Sequence, residues 1–443
     1  MKTVLLWFAF GACVCMVLLF LVFFSIQNNE SAKTSPIPSQ IPIQPNNSQS
    51  HASPVTVPEP SAKALNHYRS GMALIGIIIL WSLLIPALFL FTGLSARMRS
   101  WAERLGRRWY STFALYCIAF CLLYYLVSLP LSYYAGFIHP HNYDLSNQTL
   151  GRWLGNYFKG AAVTMVMGLA VGWIPFFLIK KSPRRWWLYL GLLAAPLLCV
   201  QLLIQPIFID PLFHKFQPLQ DNALESKILA QAARVGIEGS RVYEVNMSVD
   251  TKGENAYVTG FMGAKRIVLW DTTLKNLDED ELVFILGHEM GHYVLGHIIK
   301  LIVFESVLIL ISLYVAYLLA GPVIARFKKS WGFNVPWDFA ALPLGILAVW
   351  IFALADMPIY MAFSRHVEHE ADRFGLELTH NNHAAATAFV KMQQNNLAIP
   401  RPGRIFQFWF GSHPTPAERI EFCNSYRPWE SGQPSRYEEY IKQ

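Results

Sequence analysis

The chain has 443 residues, 53% of them apolar and 14% aromatic, but only 15% charged, where a soluble domain carries about a quarter. With a mean hydropathy of +0.31, this excludes an ordinary soluble protein and points to one embedded in a bilayer. The net charge of +7 is no nucleic-acid signature, because the basic residues cluster beside apolar segments. Five of the six cysteines lie inside such segments and none forms C-x-x-C, which argues against a disulfide framework.

Residues 4–26 are long and apolar enough to cross a bilayer. Lys2 precedes them, so a secretory signal peptide competes. The apolar run exceeds a signal peptide's and no small-x-small cleavage site follows, so residues 1–26 are read as a retained transmembrane helix. Residues 27–65, rich in Pro, Ser, Asn and Gln, are expected to be a flexible linker. Further apolar spans fall at 71–94, 110–136, 158–180 and 186–209, making 66–209 the home of helices two to five. Spans at 299–322 and 341–361 complete a set of seven. Pro86, Pro130, Pro175, Pro196 and Pro343 lie inside these spans, as kinked membrane helices around a cavity allow. Glu305 and Asp356 are intramembrane acids, candidates for function that chamber-facing or interfacial positions would equally explain.

Between the fifth and sixth spans the character changes, and 210–298 reads as a domain with a small sheet and helices outside the membrane. Residues 220–236 form an amphipathic helix ended by Gly236. Residues 241–249, 255–261 and 265–271 read as strands, the last two joined through Met262-Gly263-Ala264. An edge strand in such a sheet can pair with an extended peptide by backbone hydrogen bonds. Asn255-Ala256-Tyr257 is the candidate edge; a plain structural strand explains it equally well.

Residues 279–297 follow, with His288-Glu289-Met290-Gly291-His292 at their centre. On a helix the two histidines, four apart, point the same way and can hold one zinc ion, Zn2+. Glu289 between them is placed to take a proton from the attacking water. Asp278, Glu279, Asp280 and Glu281 suit the positive end of the helix dipole, and Leu282–Leu286 make the helix apolar nearly all round, as burial demands. A third histidine ten residues after the first, used by one protease class, is excluded because that position is Ile298. His297, nine residues on, is expected to face away from the metal on the same helix.

A catalytic zinc needs a third protein ligand and an open position. The C-terminal part, 362–443, offers Ser364-Arg365-His366-Val367-Glu368-His369-Glu370-Ala371-Asp372. Glu368 and Asp372 share a helix face, one suited to the metal and the other to orienting a ligand or the substrate. By spacing alone His366, His369 and Glu370 stay in contention. Further on, Gly411-Ser412-His413-Pro414-Thr415-Pro416 reads as a stiff turn into a helix. His413 could donate to an oxyanion or a substrate carboxylate.

Together these residues resemble the type 1 CAAX prenyl protease family, integral-membrane zinc metalloendopeptidases. The resemblance rests on Leu129-Pro130-Leu131-Ser132-Tyr133-Tyr134, Pro211-Leu212-Phe213-His214-Lys215-Phe216, Asn255-Ala256-Tyr257 and Lys265-Arg266-Ile267-Val268-Leu269-Trp270-Asp271-Thr272. It continues through His288-Glu289-x-x-His292, Ser364-Arg365, Glu368-x-x-Ala371-Asp372 and Ser412-His413-Pro414-Thr415. It implies a predominantly α-helical membrane protein whose seven helices enclose a water-filled chamber, closed at one end by a gluzincin-like α+β zinc domain. It implies Glu368 as third ligand of one Zn2+, Asp372 as an acid beside the catalytic centre, and His413 on the substrate's carbonyl or C-terminus. It implies Arg365 as a brace at the substrate site. The expected partners are peptides or proteins associated with the membrane, and the bilayer itself. The rival classes are a transporter or lipid-binding membrane protein with a structural zinc, and a scaffold without activity. The first would call for four protein ligands; the second for a broken motif.

The link 323–340 is short where eukaryotic members carry long insertions, and Tyr440-Ile441-Lys442-Gln443 is not a retrieval signal. A bacterial inner-membrane member acting on hydrophobic peptides is therefore expected. Arg97, Arg99, Arg104, Arg107 and Arg108 follow the second span, Lys180, Lys181, Arg184 and Arg185 the fourth, and Arg326, Lys328 and Lys329 the sixth. Positive-inside reasoning makes that side cytoplasmic and turns the zinc domain to the periplasm.

Overall fold

A computed structural model describes residues 53–259 and 265–442. Among them six helices are long and apolar enough to span a bilayer: Ala62–Phe91, Trp109–Asn142, Leu150–Lys181, Trp186–Leu212, His297–Trp331 and Phe339–Thr379. These correspond to the second to seventh expected spans; the first, 4–26, and the 262–264 connection lie outside the described residues. The second of the six runs past its expected end through a π-helical turn, Tyr134–Ile138, and the fourth through a 3-10 turn, Asp210–Leu212, that follows a π-helical turn at Gln205–Ile209.

The chain divides into two units. One comprises Asn66–Leu197 with Ile302–Tyr360. At one end of it Trp109 meets Phe177 edge-on and Phe339 at a tilt, at 6.5 and 5.4 Å between ring centroids. Arg99 Nη1 donates to Asp338 Oδ2 at 2.8 Å and Ser95 Oγ to the Ala340 carbonyl at 2.8 Å. Phe91 meets Trp331 at 5.6 Å. These contacts gather the basic loops after the Ala62–Phe91, Leu150–Lys181 and His297–Trp331 helices at the same end. Deeper in this unit Ser312 Oγ donates to Asp356 Oδ2 at 2.6 Å.

The other unit comprises, among the described residues, 53–65, Leu198–Leu301 and the chain from Met361 on. Its sheet has the order β1-β2-β4-β3, with β1 at Phe216–Pro218, β2 at Arg241–Val245, β3 at Ala256–Thr259 and β4 at Arg266–Trp270. β2 and β4 are parallel, Val242 opposite Ile267; β1 and β3 are antiparallel to their neighbours. Ile267, Val268 and Leu269 are buried in succession, the mark of a strand covered on both faces. β2 stops at Val245 because the chain enters a 3-10 turn, Met247–Val249, so the strand is shorter than the alternation suggests. The helix Asn222–Arg234 is started by Asp221, whose carboxylate accepts from the Ala223 and Leu224 amides. It buries Leu224, Ile228 and Ala232.

The core beneath the sheet joins Ile267 and Leu269 to Phe284, Leu286 and Met290 of the motif helix, Glu279–Val294, and to Phe374 and Leu376. Each such side chain contributes about 1.5–3 kcal/mol on full burial. One expectation is corrected. Residues 53–65 are not part of a flexible linker: Val55 and Val57 pack on this core, and the helix already starts at Ala62. Asn424 Nδ2 donates to the Val55 carbonyl at 2.8 Å, the Val55 amide returns a bond to Asn424 Oδ1 at 3.0 Å, and Gln393 Nε2 donates to the Pro58 carbonyl at 3.1 Å. Composition reads this stretch as unstructured because its order comes from a distant surface that supplies the partners.

Candidate metal centre and active site

The motif helix is begun by a capping box. Asp278 accepts from the Glu281 amide, and the Glu281 carboxylate accepts from the Asp278 amide. Glu281 is buried and also takes a bond from Lys391 Nζ at 2.6 Å. The register this imposes turns His288 and His292 to one face. The helix Leu342–Thr379 crosses that face closely because glycines stand at the contact. A Cβ at Gly291 would meet the Phe374 side chain at 3.0 Å, and one at Gly375 would meet the His288 backbone nitrogen at 3.1 Å.

The close approach brings Glu368 to the histidines. His288 Nε2 and His292 Nε2 are 3.1 Å apart, and each lies 3.4 Å from a Glu368 oxygen. Ligands at about 2.0–2.1 Å around a tetrahedral zinc are about 3.3 Å apart, so the spacing of these donors fits such an ion. Glu368 Oε2 is buried and makes no hydrogen bond, although His413 Nε2 stands 3.1 Å from it; an ion would supply the partner. Among the described residues, these three form the one group of His, Cys, Asp or Glu side chains whose atoms converge as a metal site requires.

The ends of His288 facing away from the site are held too. Its Nδ1 lies 2.8 Å from Asp372 Oδ1. Asp372 is fully buried and accepts from Arg419 Nε at 2.9 Å and Nη2 at 2.5 Å. Burial opposes charge on His288, but the Asp372 and Glu368 carboxylates outweigh it and push its pKa up to about 10. The site thus favours a positive charge, whether proton or metal. Glu289 Oε1 is 4.0 Å from His288 Nε2, and burial pushes its carboxyl above the usual range.

His413 lies across the site, Nε2 3.1 Å from Glu368 Oε2, with its ring half exposed. Its turn is clamped from several sides. Arg365 Nη1 donates to the Gln407 and Gly411 carbonyls at 2.8 and 2.7 Å, Ser364 Oγ to the Ser412 carbonyl at 2.8 Å, and Gln407 Nε2 to the His413 carbonyl at 2.8 Å. Asn255 and Ala256 line a cavity with His288, Glu289, His413 and Arg419; Leu277, Ile285, Phe389 and Met392 give it an apolar side. Tyr257, the next residue along β3, is not in that lining. Thr273 Oγ1 fixes Asn255 through both its amide and its carbonyl, each at 2.8 Å.

The rival donors lie elsewhere. His369 packs on Phe422 at 4.4 Å, and His366 is exposed, 3.7 Å from Glu370 Oε2. Sequence reasoning passed over Arg419; a buried Asp372 needs a cation, but nothing local says which. It also misplaced His297. The motif helix ends at Val294 and Gly296 has φ of +65°, so His297 is not on the far side of one long helix. It opens the next helix and lies beside His292, Nδ1 to Nδ1 at 3.0 Å.

A model of the family described as Peptidase family M48 matches residues 218–427, and one described as CAAX prenyl protease N-terminal, five membrane helices, matches 61–215. The uncharacterized metalloprotease YhfN of Bacillus subtilis (strain 168) is 34% identical over 374 residues, 84% of this chain and 87% of that protein. The chain belongs to peptidase family M48. This M48 protein is also similar to CAAX prenyl protease 1 of Saccharomyces cerevisiae, 28% identical over 312 residues, 67% of this chain and 68% of that one. Its fold is that of S. mikatae Ste24p, whose crystal structure aligns with a TM-score of 0.73 at 23% identity, covering 95% of this chain and 98% of the other. It is a multi-pass membrane metalloprotease with a metal cofactor, predominantly helical, as the resemblance implied. The transporter and inactive-scaffold readings find no support in these relatives.

Proposed function

We propose that this M48 protease binds one Zn2+ through His288, His292 and Glu368 and hydrolyses membrane-associated or hydrophobic peptides. The observation that carries the reading is the convergence of those three donors with Glu289 beside them. A zinc ion bound there supplies Lewis acidity to the scissile carbonyl and lowers the pKa of the attacking water. Glu289 accepts the proton of that water and delivers it to the leaving amine; its raised proton affinity suits both halves of that task. Asp372, locked by Arg419, keeps the His288 proton on Nδ1 and so leaves Nε2 free to bind. His413, held by its clamped turn, donates to the carbonyl oxygen or to a substrate C-terminus.

The substrate lies extended along β3. The Trp270 amide donates to the Asn255 carbonyl at 3.1 Å, so in an antiparallel ladder residues 255, 257 and 259 bond to β4. Ala256 and Val258 then turn their backbone groups outward, toward an incoming strand. Recognition through backbone groups accepts varied sequences, and the apolar side of the cavity favours an aliphatic or aromatic side chain next to the cleaved bond. CAAX-type peptides, named for several relatives, belong to that class.

In a bacterial inner membrane, the shared end of the basic loops would face the cytoplasm. By the order of the apolar spans along the chain, the segment carrying His288 and His292 falls on the other side of the membrane from those loops, which would turn the metal centre to the periplasm. Labelling a single cysteine placed at 180–185 from either side of intact membranes tests this; labelling from outside only reverses the assignment. The main test is purified protein in detergent. One zinc per chain, with cleavage of hydrophobic peptides by wild type but not by a zinc-loaded Glu289→Gln variant, is expected. A zinc-free active wild type, or an active Glu289→Gln, overturns the reading.

A further inference from the structure

We propose that His297 and Glu370 form a positioning chain for His292, doing for the second histidine what Asp372 and Arg419 do for the first. The inference rests on the reading of His288, His292 and Glu368 as metal ligands. Gly296 makes it possible. No atom lies within 4 Å of where its Cβ would be, yet its φ is +65°, so glycine is needed there for conformation and not for space. The left-handed residue ends one helix, starts the next, and swings His297 back alongside His292.

The placement dictates where the protons sit. His292 Nε2 points at His288 Nε2 and Glu368 Oε1, so a metal takes its lone pair and the ring's proton must be on Nδ1. That Nδ1–H has one neighbour in line, Nδ1 of His297 at 3.0 Å, which can only accept. His297 then carries its own proton on Nε2, which faces Glu370 Oε2 at 3.4 Å, an ion-pair distance without a regular hydrogen bond in this structure. Each step leaves a single tautomer. Glu370 is in turn approached by Lys300 Nζ at 3.9 Å, His366 Nε2 at 3.7 Å and Arg436 Nη2 at 3.9 Å. His297 is wholly buried, and a residue serving packing alone would be better apolar, since a buried imidazole must find partners. One stretch of helix thus serves both rings: Glu368 points to the metal position, Asp372 to His288 and Glu370 to His297.

The test compares His297→Ala with His297→Asn, whose Oδ1 can stand where Nδ1 stood. Zinc affinity is read by chelator competition, and the visible absorption of the cobalt-substituted protein reports ligand geometry. Loss of a hydrogen-bond partner behind a metal-binding histidine typically weakens binding about 10–100-fold. His297→Ala should weaken zinc at least about tenfold and shift the cobalt bands; His297→Asn should keep the wild-type bands and bind severalfold more tightly than the Ala variant. An Ala variant with wild-type affinity and bands overturns the proposal, as do Ala and Asn variants weakened equally. A wild type that bound no zinc would overturn the metal reading beneath it instead.

Discussion

Gly375 stands so close to His288 that a Cβ on it would lie 3.1 Å from the His288 backbone nitrogen and 3.1 Å from the Phe284 ring. That contact sets the distance between the motif helix and the helix that carries Glu368. Gly375→Ala cannot be absorbed by a flexible side chain, because the obstacle is backbone. It should cost about 1–3 kcal/mol of stability and loosen the zinc site as the helices part. Thermal denaturation with and without zinc, together with the zinc content of the variant, checks this. An alanine variant as stable and as zinc-replete as wild type would show that the helices have slack.

Glu289→Gln separates chemistry from assembly. The amide keeps the shape but cannot accept the water's proton. Zinc content should be unchanged while kcat falls about 10²–10⁴-fold.

Asp372→Ala acts behind the metal. It takes away the acceptor at 2.8 Å from His288 Nδ1 and strands Arg419, which is left against the Phe389 ring at 3.9 Å. Removing one partner of a buried ion pair costs about 3–5 kcal/mol, and zinc affinity should drop about 10–100-fold. Asp372→Ala with Arg419→Met should recover much of the stability and none of the affinity. Recovery of both would mean that Asp372 serves folding alone.

Removing the metal with a chelator should abolish cleavage and lower the thermal midpoint, since zinc at about a thousand times its Kd adds about 4 kcal/mol. In His292→Ala the same treatment should shift the midpoint little, and that difference locates the ion.

A peptide N-methylated at the backbone nitrogen that faces β3 should lose up to about tenfold in kcat/KM, the worth of one hydrogen bond of about 0.5–1.5 kcal/mol. Methylation one residue along, on the side turned from β3, should matter less. Equal losses at both positions would take the substrate off that edge.

Local physics made part of this protein legible from its residues. Four-residue spacing puts His288 and His292 on one helix face, the acids from Asp278 to Glu281 suit a helix start, and long apolar runs make spans, because helix period and hydropathy are properties of neighbours in the chain. The choice among Glu368, His369 and Glu370 was not local. It depends on how a helix 84 residues away crosses the motif helix, which Gly291 and Gly375 decide by letting backbones approach. His297 was misread because nine residues were assumed to lie on one helix, and a single positive φ at Gly296 turns the chain. Arg419 and residues 53–61 likewise take their places from partners far along the chain, Asp372 for the first and Asn424 and Gln393 for the second. The sequence by itself determined which residues could bind a metal and cross a membrane; only the tertiary structure decided which of them meet, because meeting depends on packing that no local pattern records.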